Sequence, residues 1–570
     1  MRVSLLPVRL HDTYGLGARL DHLAEGRRPW LLLLLLSLAL YLPGLANLPP
    51  VDRDEARYIQ ATRQMLETGD FLHIRFQDEA RNKKPAGIYW LQSAVVDGLS
   101  SAGSTAVWPY RLVSVLGATV AVLLTFLFGQ QIFDRRTALV ASGLLAGSLD
   151  LVFEAHVATT DAALLATAVA AQGVLAAAYL APRRGESVGA GLAALFWIAQ
   201  ALAILIKGPV VPAFSLLTIL ALAIVDRRGG WLKALRPFWG VPLLLVLVLP
   251  WLVAIELATQ GQFLNEAVGH DFLGKVAGAQ EAHGAPPGYY LALLPATFWP
   301  GTLFLGFGAV WAWRNRRLPA ARFLIAWAVP SWILLEAVPT KLPHYVVPLY
   351  PALGLLTAKG LIAAAEEGMG VSRRWVQWLP AVLWAVVGVV LAAGLVVLPL
   401  VLDRRASFGG AVAAAAVLAA LWHFLWHERA RPSVANAGVA LVAALLVVAP
   451  GFALVLPHVN AIWLSRSAAA LVAAERLPDE QLVSTGYTEP SLVFLLGTGT
   501  RLLAPAEAAA ALVDGTAKLA LVADRQDQDF TAAVTAAGRT DRLYGAVRGF
   551  DYSNGRWITL RLYRLAPAGS

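Results

Sequence analysis

The chain has 570 residues and not one cysteine. Disulfides and thiolate chemistry are therefore excluded, and nothing about compartment follows from that. Charge is scarce as well. Asp, Glu, Lys and Arg make up only 15% of residues, against 58% hydrophobic, and the mean hydropathy is +0.61. Soluble domains carry about a quarter charged residues, so the composition points to a polytopic membrane protein. No nucleotide-binding fingerprint is present, because Gly497-Thr498-Gly499 alone is too short to be one. No internal repeat is visible. The formal charge of +9 is modest for this length. It reads as a topology signal and not as a nucleic-acid footprint.

What the chain has in abundance is long apolar runs. A bilayer span needs about 20 mostly apolar residues, and about thirteen segments meet that rule. They centre on residues 30–46, 110–132, 137–153, 161–181, 188–206, 209–225, 238–257, 290–313, 322–339, 345–365, 376–402, 409–427 and 434–456. The 19 Trp suit a protein with two membrane interfaces to anchor. The first run follows Arg19, Arg27 and Arg28 and ends in Leu42-Pro43-Gly44 without a small-x-small cleavage site. That favours an uncleaved span over a signal peptide. Segment 86–101 is half as apolar and contains Asp97, which predicts an interfacial helix.

The loops carry the orientation. With a cytoplasmic N-terminus, the inside loops hold Arg135-Arg136, Arg183-Arg184, Arg227-Arg228, Arg316-Arg317, Arg373-Arg374 and Arg429 with Arg431. Each is basic, as the positive-inside rule requires. Among the short opposite loops only 403–408, with Arg404-Arg405, departs. Loops 47–109, 154–160, 207–208, 258–289 and 340–344 are then expected on the outer face. Beyond residue 457 the pattern changes. Residues 482–485, 518–524 and 557–563 read as strands, and 505–513 and 527–537 as amphipathic helices. This predicts a small α/β domain over 457–570, after a membrane domain over 1–456.

The first outer loop is the most charged stretch. It opens with Asp52, Asp54 and Glu55, followed by Arg57 and Tyr58, and it closes on Lys83-Lys84-Pro85 before Tyr89-Trp90. Acidic residues at a helix start serve as caps and dipole partners. A carboxylate there also suits a general base. Lysines at a membrane surface either snorkel or bind a lipid phosphate. Asp161 begins a span, where an acid is either a cap or functional. Lys207 ends a span and either snorkels or reaches an anion. His270, Asp271, Lys275, Glu281 and His283 lie in one loop, in a spacing that matches no familiar metal site. Lys341, His344 and Tyr345 share a later outer loop. His423 and His427 are four apart at the cytoplasmic end, away from the other polar groups, and read as interfacial.

Taken together, D-R-D-E-A-R-Y, T-G-D, K-K-P-x-G-x-Y-W, K-G-P and K-L-P-H-Y resemble the bacterial lipid A aminoarabinose transferase (ArnT) group. That group is related to the protein O-mannosyltransferases. The resemblance implies the GT-C fold and a polyprenyl-phosphate-linked sugar donor. Carried over by position, Asp54 and Asp161 match functional acids. Arg57, Tyr58, Lys84, Lys207, His270 and Lys275 match the donor-binding set, with Lys84 on the lipid phosphate. Glu55, Tyr89, Lys341, His344 and Tyr345 are expected near substrate. Lys83 stands where members often carry an acid, which argues against a divalent metal held there, and no cofactor is assigned. Lys275 stands where arginine is usual.

The implied activity is inverting transfer of aminoarabinose or a related sugar from undecaprenyl phosphate to lipid A or another envelope glycolipid. The implied location is the outer face of a bacterial inner membrane. Membrane lipids are the other expected partners, and nucleic acid is not one. Two rivals share parts of the pattern. A protein O-mannosyltransferase would keep the first-loop motif and take Ser or Thr as acceptor. A secondary transporter would place its ionisable residues at mid-bilayer, whereas here they cluster at one face.

Overall fold

Each long apolar run of the sequence folds as helix, the conformation that satisfies every backbone polar group within its own segment when lipid surrounds it. The computed structural model describes residues 20–267, 269, 274, 284–366, 375–427, 432–477 and 480–566. Among these, eight helices are long and apolar enough to span a membrane, or up to ten if each of two bent pairs is one span. The expected count of about thirteen exceeds the number of helices that are long enough on their own. Runs 30–46, 209–225 and 409–427 yield only the shorter helices Arg28–Tyr41, Val210–Asp226 and Phe408–Phe424. Run 137–153 bends by 57° between Arg135–Gly147 and Leu149–His156, where Ser148 is extended. Run 290–313 turns by 109° between Tyr289–Thr297 and Gly301–Arg314. Pro300 lies in that break, with no N–H to continue a helix.

Burial separates the centre of the bundle from its rim. In their apolar stretches, 89% of the residues of Asp161–Arg184 and Pro343–Glu366 are buried, against 17% for Pro237–Ala258 and Trp375–Leu402. The two inner helices begin at Asp161 and at Pro343, and so bring Asp161 and residues 343–345 into the middle of the bundle. The two outer ones present Val, Leu and Phe outward, as lipid-facing helices do.

Helix Gly87–Leu99 buries Ile88, Tyr89, Gln92 and Val96 on one face. It packs against helices Asp54–Thr68 and Trp108–Ile132. A Cβ on Gly87 would lie 2.6 Å from the carbonyl oxygen of Leu205. Only glycine allows that approach, which holds the Lys84 loop beside the end of helix Ala190–Lys207.

After the last span the chain forms a five-stranded mixed sheet. Its order is Arg501–Leu502, Leu482–Thr485, Leu519–Ala523, Arg556–Leu565, Asp541–Asp551. The first three strands run parallel and the last two join antiparallel. The strands expected at 482–485, 518–524 and 557–563 and both helices are present. Strand Asp541–Asp551 lacked a period-2 signal because both its faces mix apolar and charged residues. The small α/β domain of the fold class is thus present.

One ion pair ties the first loop to the bundle. Arg111, on helix Trp108–Ile132, is completely buried. Its Nε and Nη2 donate to the two carboxylate oxygens of Glu55, each at 2.8 Å. Its remaining donors reach the carbonyls of Leu45, Leu48 and Pro49. Glu55 also accepts from the backbone N–H groups of Val51 and Ala158, both at 2.7 Å. Both charges are therefore fully bonded, the condition under which a buried pair is tolerated. Removing one partner strands the other. Glu55→Gln or Arg111→Met is expected to lower stability by about 3–5 kcal/mol. Glu55→Gln/Arg111→Met together should cost less than the sum, read by thermal unfolding in a fixed detergent.

Candidate active site

Four segments converge at one end of the bundle: the first loop, the start of helix Asp161–Leu180, the end of helix Ala190–Lys207 and the 343–345 turn. Lys84, Asp161, Lys207 and Tyr345 line a single cavity of about 180 Å³, whose other walls are Leu, Val, Ala, Phe and Pro. Lys207 Nζ donates to Asp161 Oδ1 at 2.6 Å and lies 5.2 Å from the centre of the Tyr345 ring. Thr160 Oγ donates to Asp161 Oδ2 at 3.1 Å. His344 stands between two acids, with Nδ1 3.3 Å from Glu154 Oε1 and Nε2 3.8 Å from Asp161 Oδ2. The two readings of Asp161 from sequence are thereby narrowed. It does start a helix, but its carboxylate is turned toward a lysine and a histidine from other segments.

A second cavity, of about 570 Å³, is lined by His344. Asp150, Glu154 and His344 are its polar groups, and the remainder is apolar apart from Thr297. His344 lines this cavity, and its neighbour Tyr345 lines the smaller one.

Asp54 is the first residue of helix Asp54–Thr68. Its side chain is 57% exposed and lies 4.0 Å from the Arg57 guanidinium. Tyr58 and Tyr89 are buried with ring centres 5.4 Å apart. Burial, reinforced by the mutual effect of the two phenols, pushes the Tyr58 hydroxyl well above its usual range, so it remains a neutral hydrogen-bonding group. Arg81 lies over the Tyr58 ring at 5.3 Å and reaches the Tyr89 hydroxyl at 3.4 Å.

Several sequence-predicted residues take a different place. Glu55, expected near substrate, is 2% exposed with both carboxylate oxygens bonded to Arg111 and backbone N–H groups. Its geometry is that of an anchor. Lys341 is buried and donates to the carbonyl of Val338. His423 bonds Asn436 at 3.0 Å. His270 and Lys275, with Asp271, Glu281 and His283, lie outside the described residues. Among the described residues no group of three His, Asp or Glu is placed to hold a metal ion. Sequence reasoning passed over Arg111, Glu154 and Arg81. Arg111 had a signal, because an ionisable residue within an apolar run is costly unless paired. Arg81 had none.

Comparison with known proteins bears on the fold. The family model described as dolichyl-phosphate-mannose-protein mannosyltransferase matches residues 29–261. The undecaprenyl phosphate-alpha-4-amino-4-deoxy-L-arabinose arabinosyl transferase 1 of Pseudomonas fluorescens is 28% identical over 60% of this chain and 61% of its own length. The chain thus spans about three fifths of that relative. The similarly named transferase of Aeromonas salmonicida is 28% identical over 68% of this chain and 70% of its own length. The crystal structure of ArnT from Cupriavidus metallidurans bound to undecaprenyl phosphate superposes with a TM-score of 0.68 at 19% identity. That match covers 93% of this chain and 98% of the other. The fold is that of ArnT, a multi-pass membrane protein.

The acidic turn before Asp54 generates a pH expectation. Burial raises the Asp52 carboxyl to about 7, opposed by a hydrogen bond from Ser491 and reinforced by Glu489. Its pKa is thus higher folded than unfolded, where it is about 3.9. The contribution is fully present below the unfolded value and is lost as pH rises through about 7. Asp52→Asn should therefore gain thermal stability over the wild type as pH rises from 5 to 8, with little difference at pH 4. A difference independent of pH would contradict this.

Proposed function

We propose that this chain, whose sequence and fold support an ArnT-like GT-C glycosyltransferase, transfers a sugar from undecaprenyl phosphate to an envelope glycolipid such as lipid A. The observation that carries this reading is the cavity in which Lys84 and Lys207 meet Asp161 between apolar walls. A polyprenyl phosphate needs cations for its phosphate and an apolar surface for its chain, and this cavity offers both. The larger apolar cavity lined by His344 suits a second lipid. Bringing two lipids to one polar junction is what such a transfer requires.

In the reaction an acceptor oxygen attacks the anomeric carbon as the bond from that carbon to the lipid phosphate breaks. The phosphate leaves with the electron pair. Lys84 and Lys207 stabilise the charge that develops on it, and Arg57 adds to the field from the first loop. Asp161 holds Lys207 in place through the 2.6 Å ion pair. A hydroxyl nucleophile gives its proton to Asp54, which is exposed enough to reach an incoming acceptor. A phosphate nucleophile needs no base, and Asp54 then positions groups. His270 and Lys275 belong to the proposed donor-binding set through the sequence resemblance. The site is proposed to face the periplasm, with the N-terminus cytoplasmic and the chain in the bacterial inner membrane. The membrane and C-terminal domains are proposed to divide near residue 457.

The mannosyltransferase family model over residues 29–261 favours a second reading, protein O-mannosylation, in which a Ser or Thr hydroxyl is the acceptor. Mass spectrometry separates the two. Lipid A and core oligosaccharide are analysed from cells with the wild-type gene, a deletion, Lys84→Ala and Asp161→Asn. The expected outcome is loss of one defined sugar mass in the deletion. Each variant should retain transfer reduced about a hundredfold or more, the scale of losing one transition-state charge contact. Unchanged glycolipid in the deletion, with a sugar lost from secreted proteins, would transfer the assignment to the second reading.

A further inference from the structure

We infer that the C-terminal sheet domain is a working part of the active site, with Tyr552, Asn554 and Glu489 acting as positioning residues for Asp54. The inference rests on the function proposed above and concerns how its first-loop acid is held.

Arg53, directly before Asp54, has φ 67° and ψ −105°. This is a conformation that glycine adopts readily and other residues avoid. No side chain caps the helix that starts at Asp54. A strained residue at the entry of an uncapped helix persists only where its surroundings over-determine it. Those surroundings come from two directions. From the bundle, Glu55 is fixed by Arg111. From the C-terminal domain, the turn between strands Asp541–Asp551 and Arg556–Leu565 reaches back across the loop. Tyr552 Oη accepts from the backbone N–H of Asp52 at 2.7 Å. The Arg53 guanidinium donates to Asn554 Oδ1 at 3.2 Å and lies 3.5 Å from Glu489 Oε2. Asn554 is itself held, because its Nδ2 donates to Asp551 at 2.8 Å and approaches Glu489 at 3.4 Å.

An arginine at this position explains itself on that geometry. Glycine would fit the backbone without strain, but it could not make the two side-chain contacts. The same helix is bonded to the domain further along. Arg63 donates to the carbonyl of Phe494 at 2.8 Å and Gln60 to Thr498 at 2.8 Å. Asp54 therefore sits between two clamps, while its own carboxylate is largely exposed. Its direction is set by the backbone at 52–53, and that backbone is set from some 500 residues away in sequence.

The test uses full-length protein in lipid nanodiscs, with undecaprenyl-phosphate aminoarabinose as donor and lipid A as acceptor. Tyr552→Phe and Asn554→Ala should each lower kcat about tenfold to a hundredfold, the scale of a small misplacement of a reacting group. KM for the donor should stay within about twofold, since the lysine cavity is untouched. Amide hydrogen exchange at residues 52–57 should speed up. Phe530→Leu, in the core of the same domain and remote from the loop, controls for general loosening. It should lower the thermal midpoint without changing kcat or exchange at 52–57. Wild-type kcat in Tyr552→Phe and Asn554→Ala would overturn the inference, as would an equal kcat loss in Phe530→Leu. A wild-type protein inactive on this donor and acceptor would sink the proposed function instead. The exchange comparison then decides the positioning role alone, with unchanged exchange at 52–57 overturning it.

Discussion

Everything at the candidate site depends on one buried ion pair, Glu55 with Arg111. Two opposite charges fully removed from water are a liability unless every donor and acceptor is used, and here they are. The pair does three things at once. It closes the chain between the first helix and the first loop through the carbonyls of Leu45, Leu48 and Pro49. It fixes the start of helix Asp54–Thr68, one residue from Asp54. Through the N–H of Ala158 it also ties that loop to the segment that leads into Asp161. The two proposed acids therefore share one anchor although they are far apart in sequence.

Around that anchor the fold separates two environments. Lipid-facing helices keep apolar surface outward, and the nine-tenths buried helices carry the polar ends. Lys207, Asp161, His344 and Glu154 form a chain of charge and hydrogen bonding between two apolar cavities. Cations with apolar walls suit a phosphate on a hydrocarbon chain, where a low local dielectric strengthens each contact. The sheet domain completes the arrangement from the other side by bonding residues 52 and 53.

Much of this was legible from residue order. Membrane class, the helical segments, the sheet strands at 482–485 and 518–524 and the polar first loop all follow from local pattern, because hydropathy and period are properties of neighbouring residues. The bends at Ser148 and near Pro300 were harder. A proline among apolar residues is compatible with a kink, a break or a straight membrane helix, and only packing chooses. The family resemblance places Glu55 near substrate, whereas the fold pairs it with Arg111. Its partner Arg111 lies 56 residues on, a pairing that no local pattern reports.

By itself the sequence determined that this is a helical, multi-pass chain with a small α/β domain at its end and a charged first loop that resembles the ArnT group. Apolar run length, strand alternation and motif order suffice for that, since each is local. Tertiary structure alone decided which acids face which cations: Glu55 toward Arg111, Asp161 toward Lys207 and His344, and Arg53 toward the turn at Asn554. The physical reason is that electrostatic partners are chosen by distance in space and by the burial that makes an unpaired charge costly, and neither quantity exists until the chain has folded.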